Sequence, residues 1–253
     1  MASLDLFSER SDLYAAARPQ YPATLFAQIA AAAPGLATVW DCATGNGQAA
    51  VALSQYFAQV LATDHSAAQI AHTQPQARVS YSVQGAEQTT FANASVDAVC
   101  VAQALHWFAT EAFYAEVYRV LKPNGVLAAW GYSWMEITPS IDGIVRDAVL
   151  NLLAPHWAPN NALLWDGYRN VLFPFDELPS QPCAITVRWN LDQLLDYMRT
   201  WSATRALIAQ RGEHFLVEAR NALAPEWGNP EEPRTICMPL VLRLGRRRSQ
   251  LTF

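Results

Sequence analysis

Short apolar runs alternate with amphipathic stretches between about residues 38 and 131. The run Val96–Ala102 is almost continuously apolar, which is typical of a strand buried on both faces of a parallel sheet. The amphipathic stretches predict the helices that cross from one parallel strand to the next. The pattern therefore predicts an α/β sheet with successive strands at Thr38–Ala43, Gln59–Thr63, Val79–Val83, Val96–Ala102 and Val126–Gly131.

The pattern changes after about residue 132. A helical pattern around Ile144–Leu153 is followed by an irregular segment that is rich in tryptophan and proline. A strand, two helices and a last strand are predicted beyond it, at Ala184–Trp189, Leu191–Ala209, Phe215–Ala224 and Arg234–Leu244.

Composition narrows the class of protein. The 253 residues are 52% hydrophobic and 15% charged, which suits one large α/β domain or two small ones. The net charge of −5 gives no electrostatic reason to expect nucleic acid as the main partner. The first residues have no apolar segment typical of a secretory signal, and no apolar run is long enough to span a bilayer. We therefore expect a soluble, cytoplasmic protein without membrane insertion, and the sequence leaves its oligomeric state open.

The four cysteines predict neither a metal site nor a disulfide framework. They form no CxxC pair and show no spacing of zinc ligands. Cys42 and Cys100 fall inside predicted core strands, where a thiol behaves as a small apolar group. We therefore expect free thiols, as in the reducing cytosol, and no bound metal.

A glycine turn follows the first predicted strand. Asp41 ends the strand, Gly45 and Gly47 make the turn, and a helix begins immediately afterwards. Backbone N–H groups and the positive end of a helix then meet at the carboxyl end of the strand, where α/β proteins hold nucleotide-like cofactors. Gly45-x-Gly47-x-x-Ala50 also fits a loose dinucleotide pattern, or a tight turn that binds nothing. The carboxylate of Asp41 would repel a pyrophosphate, but it suits a cofactor with an ammonium group.

Further polar and small residues follow the other strands. Asp64 closes the second strand, where a carboxylate can accept hydrogen bonds from both ribose hydroxyls. The segments Gly85-Ala86-Glu87 and Gln103-Ala104 follow the third and fourth strands. We expect them to frame an adenine ring and a methionine chain.

At these residues the chain resembles the class I S-adenosylmethionine-dependent methyltransferases. Residues 41–47, Asp-Cys-Ala-Thr-Gly-Asn-Gly, match the first motif of that family, with Ala43 in place of its usual first glycine. Asp64, Gly85-Ala86-Glu87, residues 96–99 and residues 116–125 match its later motifs in the same order. The resemblance implies S-adenosyl-L-methionine as the cofactor, bound by Asp41, Ala43, Gly45, Gly47, Asp64, Gly85, Ala86, Glu87, Gln103 and Ala104.

Segments outside these motifs resemble the trans-aconitate methyltransferase-like subgroup, which acts on small molecules. They are residues 18–22 with Phe7 and Tyr14, residues 103–108, residues 197–204 and residues 239–246. In this reading Tyr14 and Arg18 close over the cofactor, and His65 packs beside the adenosine. His106 follows the fourth strand, where it is either a general base, a hydrogen-bond donor to the methyl acceptor, or a packed side chain.

The resemblance implies a Rossmann-like, mostly parallel seven-stranded sheet with an antiparallel last strand and a helical cap insertion. The expected parts are an N-terminal cofactor-covering segment and helix (1–34), a cofactor-binding core (35–134), a cap insertion (135–180) and a C-terminal region that completes core and cap (181–253). The expected reaction is SN2-type methyl transfer to a carboxylate or hydroxyl of a small-molecule acceptor. The alternatives are an NAD-dependent oxidoreductase and a non-catalytic protein that binds the cofactor.

Overall fold

A computed structural model describes residues 19–249, which form parts of two compact units. The first, here called the core unit, comprises Tyr21–Ser133, Ala162–Cys183 and the chain from Leu240 onward. The second, here called the helical unit, comprises Trp134–Asn161 and Ala184–Pro239. The segment 162–183, most of which was expected in the cap insertion, thus groups with the core.

The described residues form one mixed sheet. Its strands are β1 Thr38–Cys42, β2 Gln59–Asp64, β3 Val79–Val83, β4 Val96–Ala102, β5 Leu121–Tyr132, β6 Asp176–Glu177, β7 Cys183–Trp189 and β8 Arg234–Arg246. The order is β3-β2-β1-β4-β5-β8-β6, and β7 also pairs with β8. Neighbouring strands are parallel across the five-strand part β3-β2-β1-β4-β5, whereas β8 runs antiparallel to β5. The expected fold is therefore confirmed, with the two-residue strand β6 added to the seven expected strands.

The helices of the core unit precede or connect these strands. They are α1 Ala23–Ala32, α2 Gln48–Leu53, α3 Ala67–Ala71, α4 Leu105–Phe108, α5 Glu111–Val120 and α8 Asn161–Trp165, whose first residue falls in the helical unit. The hydroxyl of Ser66 accepts from the backbone N–H of Gln69 at 3.3 Å, and that of Thr110 accepts from Phe113 at 3.2 Å. These side chains satisfy N–H groups that a first helical turn leaves free, and this explains where α3 and α5 begin.

The helical unit contains α6 Pro139–Val145, a π-helical turn Arg146–Leu150, α7 Asn151–Leu153, a 3₁₀ turn Ala154–His156, α9 Leu191–Arg199, α10 Ser202–Arg211 and α11 His214–Trp227. The prediction of one continuous helix over 191–209 is wrong. The hydroxyl of Thr200 donates to the carbonyl of Tyr197 at 2.7 Å, and Trp201 adopts extended backbone angles. Such a bond to the preceding turn competes with the helical pattern. The ring of Trp201 packs against Trp134 and Trp157, with centroids about 6 Å apart.

Asp97 ties the amino ends of the central strands together. Its Oδ2 accepts from the backbone N–H groups of Ala37 at 3.0 Å and Thr38 at 2.9 Å. Its Oδ1 pairs with the ammonium of Lys122 at 2.8 Å. Asp97 thus has a structural role at the edge of the sheet opposite to the glycine turn.

All four cysteines are free, and Cys42 and Cys100 are buried. Within residues 19–249, no helix is long and apolar enough to cross a membrane. The same part of the chain contains no group of three His, Cys, Asp or Glu side chains that could hold a metal ion.

Candidate active site

The glycine turn is built from left-handed backbone. Ala43 and Gly45 each have φ of 58°, and Gly47 has φ of 89°. The backbone N–H of Thr44 donates to the carbonyl of Thr63 on β2 at 2.9 Å, which ties the turn to the neighbouring strand. Glycine adopts these angles without strain, whereas the methyl group of Ala43 costs about 1–2 kcal/mol there. The alanine at the family's first glycine position therefore permits the turn, but under strain.

Gly47 is also required by its neighbour Tyr81, which sequence analysis did not identify. A methyl group at Gly47 would lie 2.6 Å from the Tyr81 hydroxyl oxygen. That hydroxyl is buried and has no hydrogen-bond partner among residues 19–249. Burial raises the pKa of Tyr81, and the charge of Asp41 raises it further. Tyr81 therefore adds an unsatisfied polar group beside the turn.

Asp41 is a buried carboxylate with one free oxygen. The hydroxyl of Thr44 donates to its Oδ2, while its Oδ1 has no partner within the described chain. Burial raises the pKa of Asp41 to about 7, and the charge of Asp64 adds to this, against the lowering effects of the Thr44 hydroxyl and the Ala50 backbone. Such a carboxylate would be stabilised by a cation or an N–H donor.

Asp64 joins the glycine turn to the loop after β2. Its two oxygens accept from the backbone N–H groups of Gly45 and Ser66, each at 2.9 Å. Its side chain is only 8% exposed, and the Nδ1 of His65 lies 3.4 Å from its Oδ1. Each carboxylate oxygen can accept a second bond, so Asp64 retains capacity for a ligand. His65 itself is 56% exposed.

The segment Gly85-Ala86-Glu87 follows β3 beside this carboxylate. The backbone N–H of Gln84 donates to the carbonyl of Asp64 at 3.0 Å. Gly85 and Ala86 are half-buried, and Glu87 is exposed. The segment is therefore joined to the β2 loop, and its small residues are less exposed than Glu87.

A further unsatisfied oxygen in this region belongs to Gln103, which directly follows β4. Its backbone is left-handed, with φ of 55°, and its N–H donates to the carbonyl of Trp130 at 2.8 Å. Its amide nitrogen lies 3.2 Å from the carbonyl of Tyr132, whereas its Oε1 is buried without a partner in the described chain. The next residue, Ala104, is buried and precedes α4.

His106 lies on α4 and is buried, with 5% of its surface exposed. Its Nδ1 lies 3.3 Å from the hydroxyl of Tyr168, in the segment before β6. Burial lowers the pKa of His106 to about 4, so the imidazole is neutral at pH 7. Within residues 19–249, none of its hydrogen bonds or ring contacts reaches the glycine turn. The Tyr168 partner is 62 positions away in sequence, and no local pattern indicated it.

These side chains fit a cofactor that carries an ammonium group. Asp41 lies on β1 and Gln103 directly follows the neighbouring strand β4, and both have an oxygen that lacks a donor. The two strands flank the point where the strand order reverses, which is the usual ligand position in open α/β sheets. Tyr14 and Arg18 lie outside the described residues, so their expected roles stay predictions.

Comparisons with known proteins give a consistent picture. Residues 40–129 match the family model described as a methyltransferase domain. A protein of Dictyostelium discoideum named as a methyltransferase is 30% identical over 186 residues, which are 72% of this chain and 71% of the relative. A solved structure of a type II methyltransferase from Anaeromyxobacter dehalogenans is 40% identical, with a TM-score of 0.85, and the match covers 90% of this chain and 97% of that one.

The cofactor appears in the name of another relative. A Saccharomyces cerevisiae protein named as an S-adenosylmethionine-dependent methyltransferase is 27% identical over 124 residues, which are 46% of this chain and 43% of that protein. The similarity to the Dictyostelium protein spans most of both chains, and the fold and the unsatisfied acceptor groups agree with it. The chain belongs to the class I S-adenosylmethionine-dependent methyltransferases.

Proposed function

We propose that this enzyme methylates a small molecule, with a carboxylate oxygen as the favoured acceptor and a hydroxyl as the alternative. In this proposal it belongs with the trans-aconitate methyltransferase-like proteins and works in the cytoplasm. S-adenosylmethionine supplies, when bound, a methyl group on a sulfonium that is already activated for transfer. The main task of the protein is then to position the reactants, which can lower the barrier by about 7–11 kcal/mol.

The observation that carries the cofactor assignment is the free Oδ1 of Asp41. A buried carboxylate with a raised pKa, whose Oδ1 has no donor among residues 19–249, suits an ammonium group, either directly or through water. The Oε1 of Gln103 offers a second acceptor for the same group. Asp64 would bind the ribose hydroxyls with its remaining lone pairs, with His65 beside the adenosine. Ala43, Gly45 and Gly47 would let the backbone approach the cofactor closely.

The remaining cofactor contacts are assigned by position in the fold. Gly85, Ala86 and Glu87 would frame the adenine, and Ala104 would pack against the cofactor from the end of β4. Tyr14 and Arg18 would close over the bound cofactor, with the guanidinium of Arg18 on a carboxylate.

The environment of His106 favours a carboxylate acceptor. A general base works best with a pKa near the operating pH, and His106 has a pKa of about 4. It is therefore a weak base at pH 7, although its neutral ring can still donate a hydrogen bond. A carboxylate has no proton to lose in the transfer, whereas a hydroxyl does. The acidic net charge of −5 gives no support to a nucleic-acid acceptor.

Two measurements test this proposal. Calorimetric titration with S-adenosylhomocysteine and with NAD should give binding of the first only, and Asp41→Ala should weaken it. Transfer of a radiolabelled methyl group should then be measured on a panel of small di- and tricarboxylates, phenols and alcohols. Transfer to phenols or alcohols alone would contradict the preference for a carboxylate. Binding of S-adenosylhomocysteine with no transfer across the panel would favour a non-catalytic protein.

A further inference from the structure

The hydrogen-bond network of the buried His106 includes a second aromatic side chain. Tyr168 is fully buried, its hydroxyl lies 3.3 Å from the Nδ1 of His106, and the two rings are nearly parallel at 24°. Within residues 19–249, the hydrogen bond of the His106 ring is made by Nδ1 and does not involve the other ring nitrogen, Nε2. The proton of a neutral imidazole sits on only one of these nitrogens, and the bond at Nδ1 decides which one.

Tyr168 is held in place from the sheet. It follows Gly167, and both have left-handed backbone, with φ of 68° for Gly167 and 59° for Tyr168. The guanidinium of Arg243, on β8, donates to the carbonyls of Tyr168 and Val171, each at 2.8 Å. Left-handed backbone at a tyrosine is strained and persists only where the surroundings enforce it. The position of the hydroxyl is therefore fixed by bonds at the other end of the residue.

The hydroxyl proton of Tyr168 has one acceptor. A buried O–H group without an acceptor costs about 1–3 kcal/mol, and among residues 19–249 the Nδ1 of His106 is the acceptor in reach. Burial raises the pKa of Tyr168 and lowers that of His106, so both side chains are neutral at pH 7. The tyrosine therefore donates to Nδ1, and the imidazole proton is left on Nε2.

We propose that Tyr168 is a positioning residue that holds His106 in its Nε2–H form, so that His106 donates a hydrogen bond to an oxygen of the methyl acceptor and does not remove a proton. The part that concerns the acceptor rests on the proposed function. The protonation state of the ring is a property of the protein alone, and it can be tested without an acceptor.

Nitrogen NMR tests the protonation state directly. Long-range ¹H–¹⁵N spectra of protein labelled at histidine distinguish the two neutral forms, and His106→Gln identifies the His106 signals among the five histidines. We expect the Nε2–H form at pH 7 in the wild type, with and without S-adenosylhomocysteine. Tyr168→Phe should give a mixture of the two forms. An Nδ1–H form in the wild type, or an unchanged Nε2–H form in Tyr168→Phe, would overturn the proposal.

Tyr114→Phe is the matched control. Tyr114 is also a fully buried tyrosine of the core unit, but its hydroxyl donates to the backbone carbonyl of Leu172. Its loss should leave the His106 spectrum unchanged. A change equal to that in Tyr168→Phe would mean that the spectrum reports general loosening of the core, and the proposal would fall.

Kinetics with a carboxylate acceptor from the panel test the role in transfer. Tyr168→Phe should lower kcat about 3- to 10-fold through one lost hydrogen bond, with unchanged affinity for S-adenosylhomocysteine. His106→Gln, whose amide N–H can replace Nε2–H, should retain more activity than His106→Ala. Equal loss in the two His106 variants would contradict a donor role. Absence of transfer to every acceptor would refute the proposed function but leave the NMR result standing.

Discussion

Asp41→Asn removes the buried ionisable group of the candidate cofactor site while keeping its shape. The asparagine oxygen can still accept from the Thr44 hydroxyl, and its amide nitrogen takes the place of Oδ1, which no described residue bonds. We expect the variant to be more stable than the wild type at pH 8, although the substitution lies in the binding site. We also expect it to bind S-adenosylhomocysteine about 10- to 100-fold more weakly, because a charge-assisted hydrogen bond is lost.

The expected gain in stability follows from the raised pKa of Asp41. Asp41 has a pKa of about 7 in the folded protein against 3.8 as a free side chain. Since a raised pKa favours the protonated form, the folded protein loses stability as the pH rises from about 4 to 7. The loss is at most about 4 kcal/mol, at about 1.4 kcal/mol for each pH unit. The stability difference between Asp41→Asn and the wild type should widen by about 2–3 kcal/mol between pH 5 and pH 8.

Urea unfolding at several pH values between 5 and 8 measures this difference. The free energy of unfolding is extrapolated to water for both proteins, and comparison at each pH cancels the titration of the other groups. If the wild type were as stable as Asp41→Asn at pH 8, or if the difference did not change with pH, the reasoning about the buried charge would be refuted.

Asp97→Asn is a suitable control, because we expect it to change stability in the opposite direction. Asp97 is buried, as Asp41 is, but its oxygens accept from two backbone N–H groups and pair with Lys122. Its replacement removes a satisfied charge, so we expect a loss of about 1–3 kcal/mol across the same pH range. Binding of S-adenosylhomocysteine should not change.

The following predictions concern the glycine turn and the helix α5. Ala43→Gly should raise the free energy of unfolding, measured by urea unfolding, by about 1 kcal/mol, because glycine adopts the left-handed backbone at this position without strain. Gly47→Ala should abolish binding of S-adenosylhomocysteine and destabilise more than Gly45→Ala, because only the former drives a methyl group into Tyr81. Glu116→Gln should lower stability at pH 7. Burial raises the pKa of Glu116, but its hydrogen bonds outweigh this and lower it, so the wild-type advantage is present above about pH 4.5 and should disappear on acid unfolding.

The strand positions and the glycine turn could be predicted because their determinants are local. An apolar run followed by an acidic residue and two glycines indicates a buried strand that ends in a turn, and β1 ends one residue before the predicted bound. The start of β5 shows where local sequence signals fail. Lys122-Pro123-Asn124-Gly125 indicate a turn, whereas the structure assigns them to the strand, with a register shift against β4.

The contacts that complete the candidate site could not be predicted, because they join residues far apart in sequence. Tyr81 reaches the glycine turn from β3, and Tyr168 reaches His106 across 62 positions. Their sequence neighbours show nothing unusual, since any aromatic residue in these places would satisfy the hydrophobic pattern. Two arginines near the end of the described chain also make contacts far away in sequence. Arg246 donates to the carbonyl of Ala32, and Arg248 donates to the carbonyl of Phe175 and the carboxylate of Asp176.

The glycine turn combines two features that lower the stability of the folded chain. One is the left-handed alanine at position 43, and the other is the half-satisfied carboxylate of Asp41. The fold requires neither, since glycine would relieve the first, and Asp97 demonstrates that a buried aspartate of the same sheet can be fully bonded. Strain and unpaired groups of this kind persist where binding offsets them. The stability gained by Asp41→Asn should therefore vanish at saturating S-adenosylhomocysteine, because only the wild type then pairs its charge.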